Sequence, residues 1–323
     1  MKRVLITGGA GFIGSHLVER CISDNVESII LDDLSTGSKG NIETHLHNKH
    51  VKFVEGSVLD KSLIQSLVQN VDAVIHLAAA VGVRLVIDRP IHTIETNIQG
   101  TDNVLSAALS YHCPVLIASS TEVYGISEQI PFKEDDYVVL GPTSISRWSY
   151  ACTKAMDEWM ALAYATEHGL PVVICRIFNT VGPRQTGRYG MVLPTFISQA
   201  LSRKPITVFG DGNQTRCFLH VRDTVDAIFK LVDESKAFGE VFNIGSQEEM
   251  TINQLAEMVR EVSGIDAEIK HIPYEIAYGK GFEDLRRRVP DTSKIQRTIG
   301  FKPRFNTREI VKDILNYHRD SLE

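Results

Sequence analysis

Short runs of aliphatic and β-branched residues alternate with helix-length amphipathic segments through the first half of the chain. The predicted strands of this half are Val4–Thr7, Ser28–Leu31, Val51–Val54, Ala73–Leu77, Val115–Ser119 and Val172–Arg176. The helices between them are predicted to begin near Phe12, Ser62, Ile91 and Ser149. Buried strands that alternate with helices are typical of a parallel sheet covered on both faces. The sequence therefore predicts an α/β fold with a doubly wound parallel sheet.

The pattern changes after Asn179. Glycine and proline are dense between residues 182 and 212, which is typical of loops that wrap a ligand. A strand-and-helix unit at Leu219–Val232 and a strand at Phe242–Ile244 follow. The last predicted elements are a helix over Thr251–Val262, a strand over Glu268–His271 and a helix over Arg308–Leu315.

This change divides the chain into two predicted domains. The larger comprises residues 1–178 and about 218–247, and it carries the parallel sheet. The smaller, discontinuous lobe comprises about 179–217 and 248–323, and we expect it to bind the substrate.

The composition excludes several classes of protein. The 323 residues are 43% hydrophobic and 23% charged, which is ordinary globular usage and supplies a sizeable core. There are 34 basic and 40 acidic residues, a net charge of −6, and no long basic block. Binding nucleic acid is therefore not the expected main function.

The positions of cysteine and histidine residues bear on the cellular compartment and on metal binding. The five cysteines are scattered without a C-x-x-C pair, which favours reduced thiols in the cytoplasm over disulfides or zinc. No apolar run approaches about 18 residues, so no membrane partner is expected. His45, His47 and His50 lack partner cysteines or carboxylates, and no metal site is predicted.

A glycine-rich loop joins the first strand to the first helix. Gly8, Gly11 and Gly14 have the spacing G-x-x-G-x-x-G, which suits a tight turn, a close approach of backbone to pyrophosphate, and helix–strand packing. Asp32 lies at the end of the second strand, where a carboxylate accepts both hydroxyls of a ribose and repels a 2′-phosphate. No Lys or Arg immediately follows it. The pattern predicts NAD as the cofactor in preference to NADP.

A possible catalytic group follows from Tyr150 and Lys154. Their spacing of four places both side chains on one helix face. An ammonium beside a phenol favours phenolate, so we expect a lowered pKa and a base that takes a hydroxyl proton. Ser119 and Ser120 end a parallel strand, the sheet edge at which open α/β folds bind ligands.

Together these motifs resemble the extended short-chain dehydrogenase/reductase family of nucleotide-sugar enzymes, over nearly the whole chain. The resemblance implies a Rossmann domain, a tightly held NAD that oxidises the sugar at C4, and a lobe that grips a UDP-sugar. It also implies a homodimer paired through the two long helices. The motifs that carry it are the glycine loop, His76-Leu77-Ala78-Ala79, Asn97, Ser120 with Tyr150 and Lys154, and Arg176 through Pro183.

The resemblance also implies roles for individual residues. Ser120 would polarise the C4 oxygen, Tyr150 would be the base, and Lys154 would hold Tyr150 and the nicotinamide ribose. The implied NAD-binding residues are Gly8, Gly11, Phe12, Ile13, Gly14, Asp32, Asp33, Ser57, Val58, Leu77, Ala78, Ala79, Asn97, Ser119, Tyr150 and Lys154. The implied substrate-binding residues are Thr121, Asn179, Val192, Leu193, Phe196, Val208, Phe209, Arg216 and Arg288, of which Asn179 and Arg216 would contact the diphosphate. One departure is Ser57, where many relatives carry an acid against adenine.

The residues after Ser120 indicate the second step. A 4-keto sugar can be reduced from its other face, lose water, or lose CO2 if C6 is a carboxylate. Dehydratases of the family carry Asp-Glu at this point and simple epimerases generally lack the Glu, whereas Thr121-Glu122 resembles UDP-glucuronate decarboxylases. Decarboxylation of UDP-glucuronate is thus the leading expectation, and Glu122 would position the carboxylate or a protonating water. A UDP-hexose or UDP-hexuronate 4-epimerase is the alternative, followed by a 4,6-dehydratase and a non-catalytic NAD-binding protein.

Two further stretches favour the decarboxylase. Residues 147–150 and 278–284 resemble those of decarboxylases and synthases that act on UDP-glucuronate. Three adjacent arginines, 286–288, supply guanidinium groups suited to diphosphate or carboxylate. We expect one or two of them to be merely solvated, and Arg288 to contact the substrate.

Overall fold

The structure, a computed structural model, describes residues 1–82, 86, 88–187, 191–273, 275–276 and 286–320. The strands are β1 (Arg3–Thr7), β2 (Glu27–Asp32), β3 (Val51–Glu55), β4 (Ala73–His76), β5 (Val115–Ser120), β6 (Val172–Ile177), β7 (Thr180–Val181), β8 (Ile206–Phe209), β9 (Thr215–Cys217), β10 (Leu219–His220), β11 (Glu240–Ile244), β12 (Glu249–Thr251) and β13 (Ile269–Ile272). The helices are α1 (Phe12–Ser23), α2 (Lys61–Val68), α3 (Pro90–Tyr111), α4 (Arg147–His168), α5 (Val192–Leu201), α6 (Val221–Val232), α7 (Ile252–Ser263), α8 (Ser293–Ile299) and α9 (Thr307–Asp320).

Seven parallel strands form the central sheet, in the order β11-β6-β5-β4-β1-β2-β3. The chain builds outward from β1 to β3 and then returns to place β4 on the other side of β1. Two apolar clusters fill opposite faces of the sheet: one includes residues of α1 and α6, and the other residues of α2, α3 and α4. The predicted α/β fold with a doubly wound parallel sheet is confirmed.

The reversal of strand order brings the functional strand ends together. Thr7 of β1 pairs with Leu31 of β2 on one side and with His76 of β4 on the other. Ser120 of β5 pairs with Ile177 of β6. A crevice outside the carboxyl ends of the strands is expected where the order reverses, and open α/β sheets bind ligands in it.

A separate apolar core lies beyond the sheet. Its buried members come from α5, α7, α9 and β8, and include Leu193, Phe196, Leu255 and Ile314. α7 begins with a capping box in which Thr251 and Gln254 exchange hydrogen bonds. We propose that this core defines the smaller lobe that the sequence predicts. Within its predicted range 248–323, however, Ile295 and Phe301 pack in the apolar cluster on the main sheet.

The segment between residues 182 and 212 is more regular than a loop. It contains α5 and β8, which the density of glycine and proline obscured. Pro194 lies in the first turn of α5, where its missing N–H is not needed by the helix, and the remaining residues of that helix are mostly apolar. Proline therefore marks the beginning of a helix at this point, where the pattern predicted loops.

An aromatic cluster fixes the segment that carries Arg288. The rings of Tyr124 and Phe132 are stacked with centroids 4.6 Å apart, and Phe178 packs against both. The Phe132 N–H donates to Val289 O at 2.8 Å, and the Asn243 Nδ2 donates to Phe132 O at 2.9 Å. Residues 289–291 are thereby attached to the edge strand β11 of the main sheet.

Candidate active site

The glycine loop has the shape that the spacing predicted. Gly8 has φ +71°, and a Cβ there would lie 2.8 Å from the backbone nitrogen of Ala78. A Cβ on Gly14 would lie 2.3 Å from the carbonyl oxygen of Gly8. Gly11 caps α1 without a side chain, so the first-turn N–H groups of the helix are accessible to an anion. This cradle fits the pyrophosphate of a dinucleotide, with Phe12 and Ile13 supplying the first helical N–H groups.

Asp32 lies beside the loop at the carboxyl end of β2. Its Oδ2 accepts a hydrogen bond from the Ala10 N–H at 2.9 Å, and its Oδ1 accepts one from the Leu34 N–H at 2.8 Å. Burial raises the pKa of Asp32, although these hydrogen bonds oppose the effect. Each oxygen keeps a second lone pair for a ribose hydroxyl, so the residue fits the predicted NAD. Asp33 is exposed and bonds to Ser35.

The remaining predicted NAD-binding residues outside α4 lie along the same sheet edge. Ser57 accepts from the Leu59 N–H at 3.2 Å, and the Val58 carbonyl accepts from Asn103 at 3.0 Å. Asn97 accepts from the Ala80 N–H at 2.8 Å and donates to Thr153 at 3.1 Å, so it links the loop after β4 to α4. The loop after β4 begins with three half-buried residues, Leu77, Ala78 and Ala79. Ser119 is buried and donates to Glu158.

Ser120, Tyr150 and Lys154 come together as the sequence predicted. Ser120 ends β5, its Oγ accepts from the Glu122 N–H at 3.2 Å, and Tyr150 on α4 hydrogen-bonds with it. Lys154 is one helical turn further along and only 3% exposed. The three side chains place a hydroxyl, a phenol and an ammonium at the edge of the sheet.

The pKa of Tyr150 differs in direction from the prediction. Burial raises it, the charge of Lys154 and the hydrogen bond with Ser120 lower it, and the charges of Glu122 and Asp157 raise it again. The net shift is upward, whereas the sequence analysis considered Lys154 alone and expected a lowered value. Lys154 does not act only on Tyr150, because its Nζ donates to Asp157 Oδ2 at 2.8 Å.

A buried polar row behind Lys154 was missed by the sequence analysis. Asp157 is fully buried, and the Thr101 hydroxyl lies close enough to stabilise its carboxylate. His76 Nε2 is 3.2 Å from Thr101 Oγ1, and His76 Nδ1 is 2.7 Å from Thr7 Oγ1. Burial and the charge of Lys154 lower the pKa of His76 to about 3, so this ring is neutral. The position of Asp157, three residues after Lys154, was the available signal.

Glu122 and Arg288 form an ion pair in the site. Glu122 lies in the short turn that follows Ser120, and Arg288 reaches it from the segment attached to β11. The two side chains are 20% and 10% exposed, so the pair is largely removed from water. The negative charge of Glu122 also raises the pKa of Tyr150, so the ion pair lies close to Tyr150.

The residues expected to bind the substrate occupy two environments. Asn179 donates to Cys217 O at 3.1 Å, and Arg216 is buried on β9. Leu193, Phe196 and Val208 are core residues of the smaller lobe, whereas Val192 and Phe209 are half-buried. The Thr121 hydroxyl is buried and has no hydrogen-bond partner among the described residues. A role of these residues in binding substrate stays a prediction.

The other arginines of the run are more exposed. Arg286 is exposed, and Arg287 is 53% exposed and paired with Glu249 at 2.7 Å, as expected for solvated members. Residues 278–284, which the sequence analysis compared with decarboxylases, lie outside the described residues. Within the described part of the chain, no cluster of histidine, cysteine or carboxylate residues suited to a metal is found, and no helix is long and apolar enough to span a membrane.

A family model supports what the geometry indicates. The model of the NAD dependent epimerase/dehydratase family matches residues 4–245. The chain belongs to this family. The family and the use of NAD, both expected from the sequence, are confirmed.

Individual relatives are similar over almost the entire chain. It is 41% identical to a UDP-N-acetyl-alpha-D-glucosaminuronate decarboxylase of Bacillus cytotoxicus, covering 99% of this chain and 98% of that protein. It is 34% identical to UDP-glucuronic acid decarboxylase 1 of Xenopus tropicalis, covering 100% of this chain and 73% of that protein. Among solved structures, a UDP-N-acetylglucosamine 4-epimerase from Methanobrevibacter ruminantium M1 in complex with UDP-N-acetylmuramic acid has a TM-score of 0.90 at 28% identity, covering 99% of both chains.

Proposed function

We propose that this protein is an NAD-dependent decarboxylase of a UDP-linked glucuronate that carries a hydroxyl or an acetamido group at C2. The observation that carries the proposal is the Glu122–Arg288 ion pair beside Ser120 and Tyr150. The names of the relatives support the same reaction, with a hydroxyl substrate in one and an N-acetyl substrate in another. A UDP-hexose 4-epimerase needs the same first step and no group that recognises a carboxylate.

The first step prepares the sugar for loss of carbon. NAD, when bound, supplies the oxidant that turns the C4 alcohol into a ketone. Tyr150 removes the proton of the C4 hydroxyl, and Ser120 donates a hydrogen bond to that oxygen. The Lys154 ammonium stabilises the phenolate of Tyr150 through its charge. The Gly11 cap and Asp32 position the cofactor at the edge of the sheet.

The second step needs a carboxylate in the right place and stabilisation of an enolate. Once C4 is a ketone, the C6 carboxylate is β to it, so the C5–C6 bond breaks and its electron pair moves onto the C4 oxygen. Hydrogen bonds from Ser120 and Tyr150 stabilise the resulting negative charge. CO2 leaves, and C5 takes a proton from a water positioned by Glu122. The C4 ketone would then be reduced again by the hydride that the bound cofactor had taken up, with the proton held by Tyr150, so that the net loss is CO2 alone.

The ion pair with Glu122 weakens the binding of the substrate carboxylate to Arg288. A guanidinium binds a carboxylate through parallel hydrogen bonds, but a tightly neutralised carboxylate has less tendency to leave as CO2. Because Glu122 competes for Arg288, the substrate carboxylate is oriented without being fully neutralised. This balance favours the transition state over the bound ground state.

The experiment is incubation of the purified protein with UDP-N-acetylglucosaminuronate, UDP-glucuronate and UDP-glucose, followed by chromatographic separation of the products and mass spectrometry. We expect a product lighter by the mass of CO2 from at least one of the two uronates. A C4 epimer of unchanged mass identifies the epimerase instead. No product from any of the three substrates contradicts both reactions.

We also propose that two copies pair through α3 and α4. Ile91 and Ile94 on α3 are 71% and 40% exposed, and Met156 and Trp159 on α4 are 38% and 58% exposed. Each pair has a spacing of three and lies on one helix face, and apolar side chains of this size are commonly covered by a partner. A second copy covers the same surface symmetrically. The cytoplasmic location expected from the sequence stays a prediction.

Light scattering tests the pairing at micromolar concentration. The parent protein is expected to have the mass of a dimer, and Trp159→Glu that of a monomer. The matched control is Tyr137→Glu, because Tyr137 is 84% exposed and lies outside both helices. A monomeric parent contradicts the proposal.

A further inference from the structure

Lys154 is shared between two partners in the buried part of the site. Its Nζ is 2.8 Å from Asp157 Oδ2, and the side chains of Lys154 and Asp157 are 3% and 0% exposed. Tyr150, Lys154 and Asp157 lie on one face of α4, at spacings of four and three. One ammonium therefore bonds to a carboxylate and also acts through its charge on a phenol.

The surrounding charges are largely neutralised by partners of their own. Glu158 is paired with Arg176, whose Nη2 is 2.7 Å from Glu158 Oε2, and Glu122 is paired with Arg288. The charged or titratable groups around Tyr150 and Lys154 are Asp157 and Glu158 on α4, Glu122 after β5, Arg176 on β6, His76 on β4 and Arg288 before α8. Among the described residues, Lys154 is the cation bonded to Asp157.

The row behind Asp157 fixes its place. Thr101 lies beside the carboxylate, His76 lies between Thr101 and Thr7, and the Thr7 hydroxyl accepts from the Ala78 N–H at 3.2 Å. The neutral His76 tautomer that accepts from Thr7 at Nδ1 donates to Thr101 from Nε2. Every member of the row from Thr7 to Asp157 is buried, and the Asp157 Oδ1 has no hydrogen-bond partner among the described residues, so the Lys154 contact at Oδ2 is the bond that fixes this carboxylate.

We propose that Asp157 is a positioning residue that shares the Lys154 ammonium with Tyr150 and thereby sets the pH range in which Tyr150 acts as the base. The inference rests on the proposed role of Tyr150 in the reaction. The negative charge of Asp157 opposes formation of the phenolate and favours the charged ammonium. Removing that charge leaves the positive charge of Lys154 to act on Tyr150 without an opposing carboxylate, and both groups then lose their protons at lower pH.

The variant is Asp157→Asn, which keeps the size of the side chain and an oxygen that accepts from Lys154. The first measurement is the pH profile of kcat/KM for CO2 release. We expect both limbs to move to lower pH by about 0.5–1 unit, because a nearby charge changes a pKa by about that much or more. A loss of activity with unmoved limbs indicates a purely structural role and overturns the proposal.

The second measurement needs no substrate. The protein has nine tyrosines, so the absorbance of tyrosinate is titrated in the parent and Asp157→Asn, and the titration of the matching Tyr150→Phe protein is subtracted from each. The difference reports Tyr150, which we expect to ionise at lower pH in Asp157→Asn. If the ionisation of Tyr150 shifts to lower pH but no substrate is turned over, the proposed function is contradicted and the inference stands. If a substrate is turned over but the ionisation of Tyr150 does not shift, the inference alone is contradicted.

Asp223→Asn is the matched control. Asp223 is a buried aspartate at the beginning of α6, 2% exposed and paired with Arg304 at 2.7 Å. It has no contact with Tyr150 or Lys154 among those that the structure describes. We expect it to reduce stability and leave both limbs of the pH profile in place. If the limbs of the pH profile shift by the same amount in Asp157→Asn and in Asp223→Asn, the proposal is overturned.

Discussion

Glu122→Gln tests the Glu122–Arg288 ion pair independently of the other residues of the site. The variant keeps the shape of the side chain and removes the negative charge that faces the Arg288 guanidinium. Breaking a fully buried pair costs about 3–5 kcal/mol, and breaking an exposed one costs about 0–1 kcal/mol. With the two side chains 20% and 10% exposed, we expect the free energy of unfolding to fall by about 2–3 kcal/mol, between these limits.

The same variant is expected to slow the loss of CO2 without slowing the oxidation at C4. Loss of the negative charge of Glu122 lowers the pKa of Tyr150, so removal of the C4 proton is not impaired. CO2 release is expected to fall about 10²-fold or more, because the group that positions the protonating water and weakens the binding of the substrate carboxylate to Arg288 is gone. The absorbance of reduced nicotinamide in a single turnover should therefore rise as in the parent, while CO2 trapped from the same mixture forms slowly.

Two further proteins complete the experiment. Glu249→Gln disrupts the neighbouring Arg287 pair, which is half exposed on the arginine side, and should cost at most about 1 kcal/mol with unchanged CO2 release. Glu122→Gln combined with Arg288→Met should cost less than the sum of the two single changes by about 1 kcal/mol or more, since neither charge is then left unpaired. Additive losses, or CO2 release from Glu122→Gln at the parental rate, would refute the reasoning.

Three other changes have defined outcomes. Tyr150→Phe should reduce the turnover of nucleotide sugar by at least about 10³-fold, with no reduced nicotinamide formed. Retention of activity would contradict the role of Tyr150 as the base. Gly14→Ala places a Cβ 2.3 Å from Gly8 O; it should destabilise the protein by about 1–3 kcal/mol or more in urea unfolding and lower its NAD content, and a variant of parental stability would show that the loop is not so tightly packed. Because the pKa of His76 is lowered to about 3 in the folded protein, the unfolded chain binds the extra proton as pH falls below the ordinary histidine range. Stability should then fall toward acid pH by up to about 1.4 kcal/mol per unit, and His76→Gln should show a shallower decline; equal slopes would contradict a neutral His76.

Elements made of strong local patterns were predictable from the sequence. The aliphatic runs of β1, β4, β5 and β6 are typical of buried parallel strands when helices alternate with them, and α4 begins within two residues of its predicted start. Helix α5 was not predicted, because Pro194 was taken as a sign of a loop when it lies in the first helical turn. The local pattern does not distinguish these two uses of proline.

The charge balance of the site depends on contacts between distant residues. Glu122 and Arg288 are 166 residues apart, and nothing in the sequence between them specifies that their side chains meet. The pKa of Tyr150 was predicted in the wrong direction because burial and Glu122 come from the tertiary fold, whereas only Lys154 was considered from the helix. Asp157 was within reach of the same helical argument that found Lys154.

The main chain around Arg288 is bonded to both lobes. The Arg286 carbonyl accepts from the Thr215 N–H of β9 at 2.8 Å, and the Val289 carbonyl accepts from the Phe132 N–H at 2.8 Å. A displacement of the smaller lobe is therefore transmitted, through a few peptide units, to the guanidinium that faces Glu122. Under the proposal that the smaller lobe binds the nucleotide, binding one end of the substrate and aligning its reactive end are mechanically one event.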